Sequence, residues 1–298
     1  MDRWQAMRIF VKVAETESFT DTARQMHLSA PVVTRAVAML EDTIGVRLLT
    51  RTTRSVKLTE AGSRYVGDCE RLLGQLAEAE AAAAGAHAKP NGILTVTAPI
   101  MFGQMHVLPI LTEYLDLYPA VTGRSLFVDR IVNIVDEGVD VAFRIGHLDD
   151  STLTAVRVGE VKRILCGSPE YFDKNGVPAM PRDLSKHRII GTTSAWSSLE
   201  WRFGVHPKST VHVTPRLYCN TNEAAIAAAV KGWGIARVLS YQVAPLLRSG
   251  ELRAIMSNSE EEALPVHVVH PEGRSTSGKV RSFVDLAVAS LRSGKNRF

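Results

Sequence analysis

Cysteine and aromatic residues are both scarce in this chain of 298 residues, which has three cysteines and 6% Phe, Trp and Tyr. Cys69, Cys166 and Cys219 are far apart and odd in number, so they indicate neither a disulfide framework nor a metal-binding spacing. Nothing near them in the sequence indicates the lowered thiol pKa that a redox switch requires. Isolated thiols are typical of a reducing compartment, and we therefore expect a cytoplasmic protein with free, buried cysteines.

Long apolar runs are also missing. No stretch of about 18 or more apolar residues occurs, which predicts that the chain has no membrane span and no membrane partner. The N-terminus opens an amphipathic pattern at Met1-Asp2-Arg3-Trp4 and lacks the uninterrupted apolar segment of a signal peptide. These absences favour a protein that works inside the cell.

Known catalytic motifs are absent as well. The sequence contains no Gly-x-Ser-x-Gly, no His-Glu-x-x-His, no Walker loop and no Gly-x-Gly-x-x-Gly. Its nine histidines are scattered, and the closest pair, His267 and His270, has no cysteine or acid at ligand spacing. We therefore expect neither an enzyme nor a metal or other cofactor.

Basic residues, by contrast, concentrate in one short segment. Between Ile44 and Arg64 the chain has five basic residues and a single acid, although its net charge is only +4. Taken alone, such a run can be a solvated basic face, but it also suits the phosphates of a nucleic acid. The secondary structure around this segment decides between these two interpretations.

The first 58 residues show the pattern of three short helices followed by a two-stranded hairpin. Ser18 and Ser29 stand where N-caps satisfy the first free N–H groups of a helix, and Gly45 provides a helix stop. One apolar stripe runs along the third helix: Val33, Val37, Leu40 and Ile44. With hairpin strands expected at 47–49 and 55–58, we predict a winged helix-turn-helix over residues 1–58.

A long amphipathic helix is expected next. Thr59 caps it, apolar residues recur at helical spacing (Tyr65, Leu72, Leu76), and Lys89-Pro90-Asn91-Gly92 ends it. An apolar stripe of this length requires a partner helix, and a second copy of the chain is the simplest one. We therefore predict a linker and dimerisation helix over residues 59–90.

From residue 91 onward, segments typical of strands and helices alternate, which indicates an α/β domain. The helices are predicted at 106–117, 129–137, 223–231 and 278–292, and the strands at 93–97, 121–128, 140–144, 164–166, 189–190, 211–218, 235–238 and 265–270. Two crossings, near 160–166 and 265–270, imply two lobes with a cleft between them. We place lobe I at about 91–162 and 268–298, and lobe II at about 163–267, so the chain is predicted to be an α+β multidomain protein.

The outward face of the third helix suits the edges of base pairs. Arg35 can bind a guanine edge with two hydrogen bonds, and Thr34 can bond to a base or touch a thymine methyl. Basic and hydroxyl groups of the second helix and the wing suit phosphates or the minor groove. The predicted DNA contacts are Arg24, Ser29, Ala30, Pro31, Thr34, Arg35, Arg51, Thr52 and Arg54. The alternative is a three-helix unit with solvated arginines.

In the α/β domain, polar residues at strand ends are candidates for a ligand site. Ligands of open α/β sheets lie at the carboxyl ends of strands and near helix N-termini. The candidates are Thr97, Ala98, Pro99, Phe102, Arg144, Thr193, Trp196, Asn220 and Thr221. Arg144 could pair with a carboxylate, so the ligand could be an anion, and Phe102 could be an apolar wall. Each has a plain structural alternative, such as an ion pair for Arg144, an N-cap for Asn220 or a core position for Trp196.

The stretch from Phe10 to Gly62 closely resembles the DNA-binding domain of LysR-type transcription regulators. The resemblance is carried by Ser18-Phe19-Thr20, Ala23-Arg24, Leu28 to Arg35, Gly45 to Leu49, Arg51 to Arg54 and Leu58 to Gly62. It continues more loosely through Thr97-Ala98-Pro99, Asp140 to Gly146 and Gly232-Trp233-Gly234. The family usually carries glutamine where this chain has Ala30, so one common DNA contact is expected to be absent.

The resemblance implies a function and several partners. It implies a sequence-specific regulator that binds double-stranded promoter or operator DNA, and a C-terminal effector domain with the two-lobed fold of type II periplasmic binding proteins. A small-molecule effector would bind in the cleft, and residues 97–99 correspond to the family's effector-binding loop. It further implies a homodimer or homotetramer and contact with RNA polymerase. The competing hypotheses are a solute-binding protein whose head binds other proteins, and an α/β enzyme with a DNA-binding head.

Overall fold

A computed structural model describes residues 1–51, 56–83, 89–148, 153–193, 199–204, 209–259, 261–271 and 277–293. The chain divides into two compact units, Met1–Ala88 and Lys89–Phe298. No helix among the described residues is long and apolar enough to cross a membrane.

The described part of the first unit consists of helices and one hairpin. The helices are α1 (Arg3–Thr16), α2 (Phe19–Gln25), α3 (Ala30–Ile44) and α4 (Glu60–Ala83), and the hairpin pairs β1 (Leu49–Arg51) antiparallel with β2 (Val56–Leu58). The side chains of Asp2 and Ser18 cap α1 and α2, because each accepts a hydrogen bond from the N–H three residues later. Gly45 ends α3 with a φ of 77°, a left-handed conformation that favours glycine.

The core of this unit lies among α1, α3 and α4. Val33, Val37 and Leu40 have no exposed surface, as the apolar spacing predicts. On α4, Cys69 is fully buried and the ring of Tyr65 lies 5.8 Å from that of Phe10. The first part of the α4 stripe therefore packs against its own chain, whereas the sequence had assigned the whole stripe to a partner copy.

The wing begins two residues later than predicted. Leu48 does not join β1, because its N–H donates to the carboxylate of Glu41 and its carbonyl accepts from the N–H of Thr59. The N–H and the carbonyl of Leu48 are thus both used in hydrogen bonds to residues at the end of α3 and just before α4. The strand starts at Leu49 instead of Arg47.

The described part of the second unit contains two mixed five-stranded sheets and one two-stranded hairpin, with helices around them. Its strands are β3 (Gly92–Ala98), β4 (Val121–Phe127), β5 (Val141–Ile145), β6 (Leu153–Val161), β7 (Arg163–Gly167), β8 (Ile189–Thr192), β9 (Glu200–Phe203), β10 (Ser209–His212), β11 (Leu217–Cys219), β12 (Ile235–Leu239), β13 (Arg253–Ile255) and β14 (Leu264–Pro271). Its helices are α5 (Ile100–Phe102), α6 (Leu108–Leu117), α7 (Pro169–Asn175), α8 (Asn222–Val230), α9 (Ser240–Ser249) and α10 (Gly278–Arg292), with a π-helical stretch at Gly103–Val107 and 3-10 turns at Pro181–Lys186 and Ser257–Ser259.

The two five-stranded sheets have the orders β4-β3-β5-β14-β6 and β11-β8-β12-β7-β13. In each, three neighbouring strands run parallel and the other two continue the sheet antiparallel. The chain passes from the first sheet to the second at Lys162, between β6 and β7, and returns between β13 and β14. A separate hairpin pairs β9 with β10, and its Trp201 and Phe203 pack in one hydrophobic cluster with Leu165 of β7.

Two predicted elements are wrong. The helix predicted at 129–137 is a series of turns, because side chains capture the backbone groups that a helix would use: Asn133 accepts from the N–H groups of Val135 and Asp136, and Glu137 accepts from the N–H of Asn133. The strand predicted at 211–218 is two strands of different sheets, β10 and β11. The buried Pro215 between them has no N–H to offer to a sheet.

Candidate functional site

The N-terminal half of α3 presents its polar face to solvent. Ala30, Pro31, Thr34 and Arg35 are all exposed, while Val33 and Val37 on the opposite side are fully buried. The helix is therefore anchored from behind by apolar packing, which leaves small side chains and one guanidinium on its outer surface. This is the geometry by which a helix enters the major groove of DNA.

Thr34 and Arg35, which are expected to contact bases, differ in the hydrogen-bonding groups that remain available for DNA. The hydroxyl of Thr34 donates to the carbonyl of Ala30 at 3.0 Å, so its proton is in use and its oxygen remains an acceptor. Arg35 forms no ion pair with another residue of the described ranges. Its five N–H donors are available for a bidentate contact.

The predicted phosphate contacts lie around the same helix. Arg24 is 78% exposed and pairs with Asp21 at 2.6 Å, a surface ion pair of the kind that stabilises little. Ser29 is the N-cap residue of α3 by backbone conformation, but its hydroxyl makes no capping hydrogen bond. Of the predicted wing residues, Thr52 and Arg54 lie outside the described residues, and only the backbone of Arg51, in β1, is described.

Glu41 is a residue that the sequence reasoning missed. Its Oε1 accepts hydrogen bonds from the N–H groups of Leu48 at 2.8 Å and Leu49 at 3.1 Å. The carboxylate therefore links the last turns of α3 to β1, the first strand of the wing. Leu40-Glu41 is part of the stretch that resembles the family, but nothing in the sequence assigns Glu41 a contact with residues seven and eight positions later.

A cavity of about 230 Å³ lies in the second unit and is lined from both sheets. Pro99, Asp129, Ile145 and Leu264 line it from the first sheet and its connections, and residues of β8, β9, β12 and the starts of α8 and α9 line it from the second. The apolar part of the lining includes Ile190, Val238 and Leu239. Concave sites with apolar walls and a few polar groups are typical of small-molecule binding.

Three charged side chains form one cluster in this cavity. A single oxygen, Oε2 of Glu261, lies 2.8 Å from Nη1 of Arg163 and 2.7 Å from Nη2 of Arg237. The guanidinium of Arg237 also lies 5.5 Å from the ring centre of Trp201. Burial lowers the pKa of Arg237, Glu261 partly offsets this, and the charges of Arg163 and Arg202 add to it.

Asp129 supplies a different polar group to the cavity. Its Oδ1 accepts from the N–H of Ile100 at 3.0 Å, whereas its buried Oδ2 has no hydrogen-bond partner among the described residues. Burial raises the pKa of the neighbouring Tyr241, the hydrogen bond from Gln242 lowers it, and the charges of Asp129 and Glu223 raise it further. A buried carboxylate oxygen without a donor costs free energy, so this corner favours a hydrogen-bond donor.

Most of the predicted effector contacts do not line this cavity. Pro99 is the one predicted residue, among those described, that does. Thr97 is 4% exposed and its hydroxyl donates to the carbonyl of Leu126 at 2.6 Å, and Ala98 follows it in the same buried strand. Phe102 has no exposed surface and packs against the rings of Phe143 and Tyr241, so it is a core residue here, and its role as an apolar wall of the effector site remains a prediction.

The remaining candidates are spread around the same region. Arg144 donates to the carbonyl of Val132 at 2.8 Å and is not part of the lining. Thr221 caps α8 by accepting from the N–H of Ala224, and the next residue, Asn222, reaches the cavity. Thr193 bonds through its N–H to the carbonyl of Cys219, Asn220 is exposed, and Trp196 lies outside the described residues. Effector contacts by these residues remain predictions.

The described histidines and cysteines form no reactive or metal-binding group. Among the described residues, no three side chains of His, Cys, Asp or Glu are placed to hold a metal ion. Burial raises the pKa of Cys69 to about 11 and that of Cys166 to about 12, which keeps both as thiols. Burial also lowers the pKa of His106 to about 4.

Comparisons with known proteins agree with this division of the chain. The family model for the bacterial regulatory helix-turn-helix protein, lysR family, matches residues 4–63, and that for the LysR substrate binding domain matches residues 87–292. Over 288 residues the chain is 35% identical to an HTH-type transcriptional repressor of Pseudomonas aeruginosa, covering 96% of this chain and 91% of that protein.

Two full-length structures have the same fold. The LysR-type regulator CrgA of Neisseria meningitidis is 27% identical, with a TM-score of 0.62 over 96% of this chain and 98% of that one. The Vibrio cholerae virulence activator AphB is 25% identical, with a TM-score of 0.62 over 96% and 98%. The predicted fold class and family resemblance are therefore confirmed. The chain belongs to the LysR family of transcription regulators, which bind DNA through an N-terminal helix-turn-helix and a small-molecule effector through a C-terminal domain.

Proposed function

We propose that α3 enters the major groove of operator DNA and reads base edges with Thr34 and Arg35. The observation that carries this proposal is the exposure of both side chains on a helix whose opposite face is fully buried. Arg35 donates to a guanine, and Thr34, whose proton is used by Ala30, accepts from an adenine or cytosine amino group. The small Ala30 and Pro31 let the helix backbone approach the groove.

The residues around α3 position it on the duplex. Arg24 exchanges its weak surface pair with Asp21 for a phosphate, and the free hydroxyl of Ser29 binds another. Arg51, Thr52 and Arg54 of the wing bind the backbone or the minor groove. These contacts give affinity, whereas Thr34 and Arg35 give sequence preference.

The cavity of the second unit binds the effector in this proposal. A ligand that prefers one arrangement of the effector domains shifts the DNA-binding equilibrium, and DNA shifts ligand affinity by the same factor. The chain acts as a homodimer or homotetramer in the cytoplasm, with two recognition helices about one helical turn apart on the duplex. It contacts RNA polymerase to change transcription, and it catalyses no reaction.

The test is selection of binding sites from random duplex DNA, followed by affinity measurements at several salt concentrations. We expect one sequence to be enriched, with an affinity that falls steeply as salt rises because phosphate contacts release counterions. A scrambled duplex of equal length is the control and is expected to bind about 1000-fold more weakly. If no sequence is enriched, or if operator and scrambled duplex bind equally, the proposal is refuted.

A further inference from the structure

The turn between α2 and α3 contains a backbone conformation that is unusual for its residue. His27 has a φ of 55°, in the left-handed region that favours glycine. It follows α2 in a Schellman motif: the N–H of Leu28 donates to the carbonyl of Ala23 at 2.8 Å, and the N–H of His27 to that of Arg24 at 3.3 Å. The left-handed residue of this motif is usually glycine.

Other helices of this chain end with glycine in the same conformation. Gly45 ends α3 with a φ of 77°, and Gly250 ends α9 with a φ of 79°. A side chain at His27 therefore costs free energy that glycine would not cost. Residues held in sparsely populated backbone conformations cluster at functional sites, so this position points to a role for the imidazole itself.

Apolar and polar side chains alternate along this turn. Met26 and Leu28 pack against the core of the first unit, whereas Gln25, His27 and Ser29 are exposed. The imidazole of His27 forms no hydrogen bond or ion pair with any residue that the structure describes. The two apolar neighbours thus fix the turn from behind, and a ring N–H of His27 remains available to a partner in solution.

The position of His27 in the chain decides which partner it meets. It lies three residues before Ala30, the first residue of α3, and the N-terminal residues of a recognition helix are those that contact base edges. The segment that leads into such a helix passes the sugar-phosphate backbone at the edge of the groove. The acid nearest in sequence, Asp21, is paired with Arg24 at 2.6 Å, and the first turn of α3 contains no acidic residue. This surface therefore suits a phosphate.

We propose that His27 is a positioning residue for operator DNA, and that a ring N–H of its imidazole donates to one backbone phosphate beside the groove that α3 enters. The inference rests on the proposed function, in which α3 enters the major groove. A phosphate contact fixes the register of the helix on the duplex and carries no sequence information of its own. The left-handed backbone at residue 27 is the cost of placing a donor at this point.

The first test separates the backbone conformation from the side chain. His27→Gly in the full chain should leave the midpoint of urea unfolding unchanged or higher, because glycine adopts this φ without strain. It should bind the selected operator and the scrambled duplex about tenfold more weakly, because each loses one hydrogen bond to a charged group. Glu17→Gly is the control, since Glu17 is exposed and ends α1 with a φ of 49°. It should weaken binding to neither duplex.

The second test locates the phosphate. A series of operators carries one neutral methylphosphonate at a time, and the affinity of each is measured with the wild type and with His27→Gly. We expect one phosphate whose replacement weakens the wild type about tenfold and weakens His27→Gly no further, because the contact is already lost. Glu17→Gly should keep the wild-type profile. If His27 only shaped the turn, His27→Gly would bind more weakly with an unchanged profile.

Unchanged operator affinity in His27→Gly, a loss confined to the operator, or a methylphosphonate profile equal to that of the wild type would overturn the proposal. A lower unfolding midpoint in His27→Gly would overturn it as well, because the imidazole would then support the fold. If the wild type prefers the operator to the scrambled duplex and His27→Gly binds as tightly, only the role of His27 is wrong. If the wild type prefers no sequence, the proposed function itself fails.

Discussion

Glu41 is expected to hold the wing against the recognition helix, and its replacement gives a sharp test of that role. In Glu41→Ala, the N–H groups of Leu48 and Leu49 lose the carboxylate oxygen that lies 2.8 and 3.1 Å away. Hydrogen bonds to a charged group contribute about 1.5–3 kcal/mol each. Because Glu41 is half-buried, water replaces part of that, and we expect a local loss of about 3 kcal/mol.

Hydrogen exchange measures this loss at the two amides themselves. A loss of about 3 kcal/mol corresponds to exchange roughly 100-fold faster at Leu48 and Leu49, since 1.4 kcal/mol is a factor of ten. Operator affinity should fall as well, because the wing is no longer fixed relative to α3. Asp42→Ala, the neighbouring exposed acid, is the control. Exchange unchanged within twofold in Glu41→Ala, or equally accelerated in Asp42→Ala, would refute the anchoring role.

Three further predictions follow from buried groups. Gly62→Ala places a Cβ 1.9 Å from the carbonyl oxygen of Leu48 and should lower the free energy of unfolding in urea by at least about 2 kcal/mol. The control is Gly67→Ala, whose Cβ has nothing within 4 Å, and it should be neutral or stabilising. Equal unfolding midpoints of the two variants would contradict this. Burial lowers the pKa of His106 to about 4, so as the pH falls the unfolded chain binds this proton before the folded chain does. The free energy of unfolding should therefore fall by about 2 kcal/mol from pH 7.5 to pH 5. If a His106→Leu variant shows the same pH dependence, the loss of stability does not come from His106. Thr97→Val should lower the free energy of unfolding by about 1–3 kcal/mol, because the carbonyl of Leu126 loses the hydroxyl that donates to it. Thr97→Ser keeps a hydroxyl and should restore the hydrogen bond. If both variants unfold like the wild type, the hydrogen bond contributes nothing to stability.

The exposed face of α3 could be predicted well because local patterns determine it. The stripe of Val33, Val37 and Leu40 fixes which side of α3 is buried, and therefore which side remains for Thr34 and Arg35. Ser18 and Gly45 set helix ends by local chemistry that does not depend on distant contacts. Glu41 was missed because its hydrogen bonds reach across a turn to residues that no helical spacing relates to it.

The cavity of the second unit could not be predicted to the same degree. Arg163, Arg237 and Glu261 are separated by up to 98 positions, and only the order of strands in the second sheet brings them together. The motif at Thr97-Ala98-Pro99 indicated the right strand end, but burial of Thr97 and Phe102 left only Pro99 at the cavity. The helix predicted at 129–137 is absent for a different, local reason, because side-chain hydrogen bonds of Asn133 and Glu137 compete with helical ones.

Arg35 is proposed to read a base edge and not only to neutralise a phosphate. The most direct measurement compares Arg35→Ala with Arg182→Ala, an exposed arginine of the second unit that matches the change in charge, on the selected operator and on a scrambled duplex. We predict that Arg35→Ala loses about 1–3 kcal/mol of binding on the operator and little on the scrambled duplex, while Arg182→Ala changes neither. An equal loss on both duplexes, or no loss on the operator, would contradict the account.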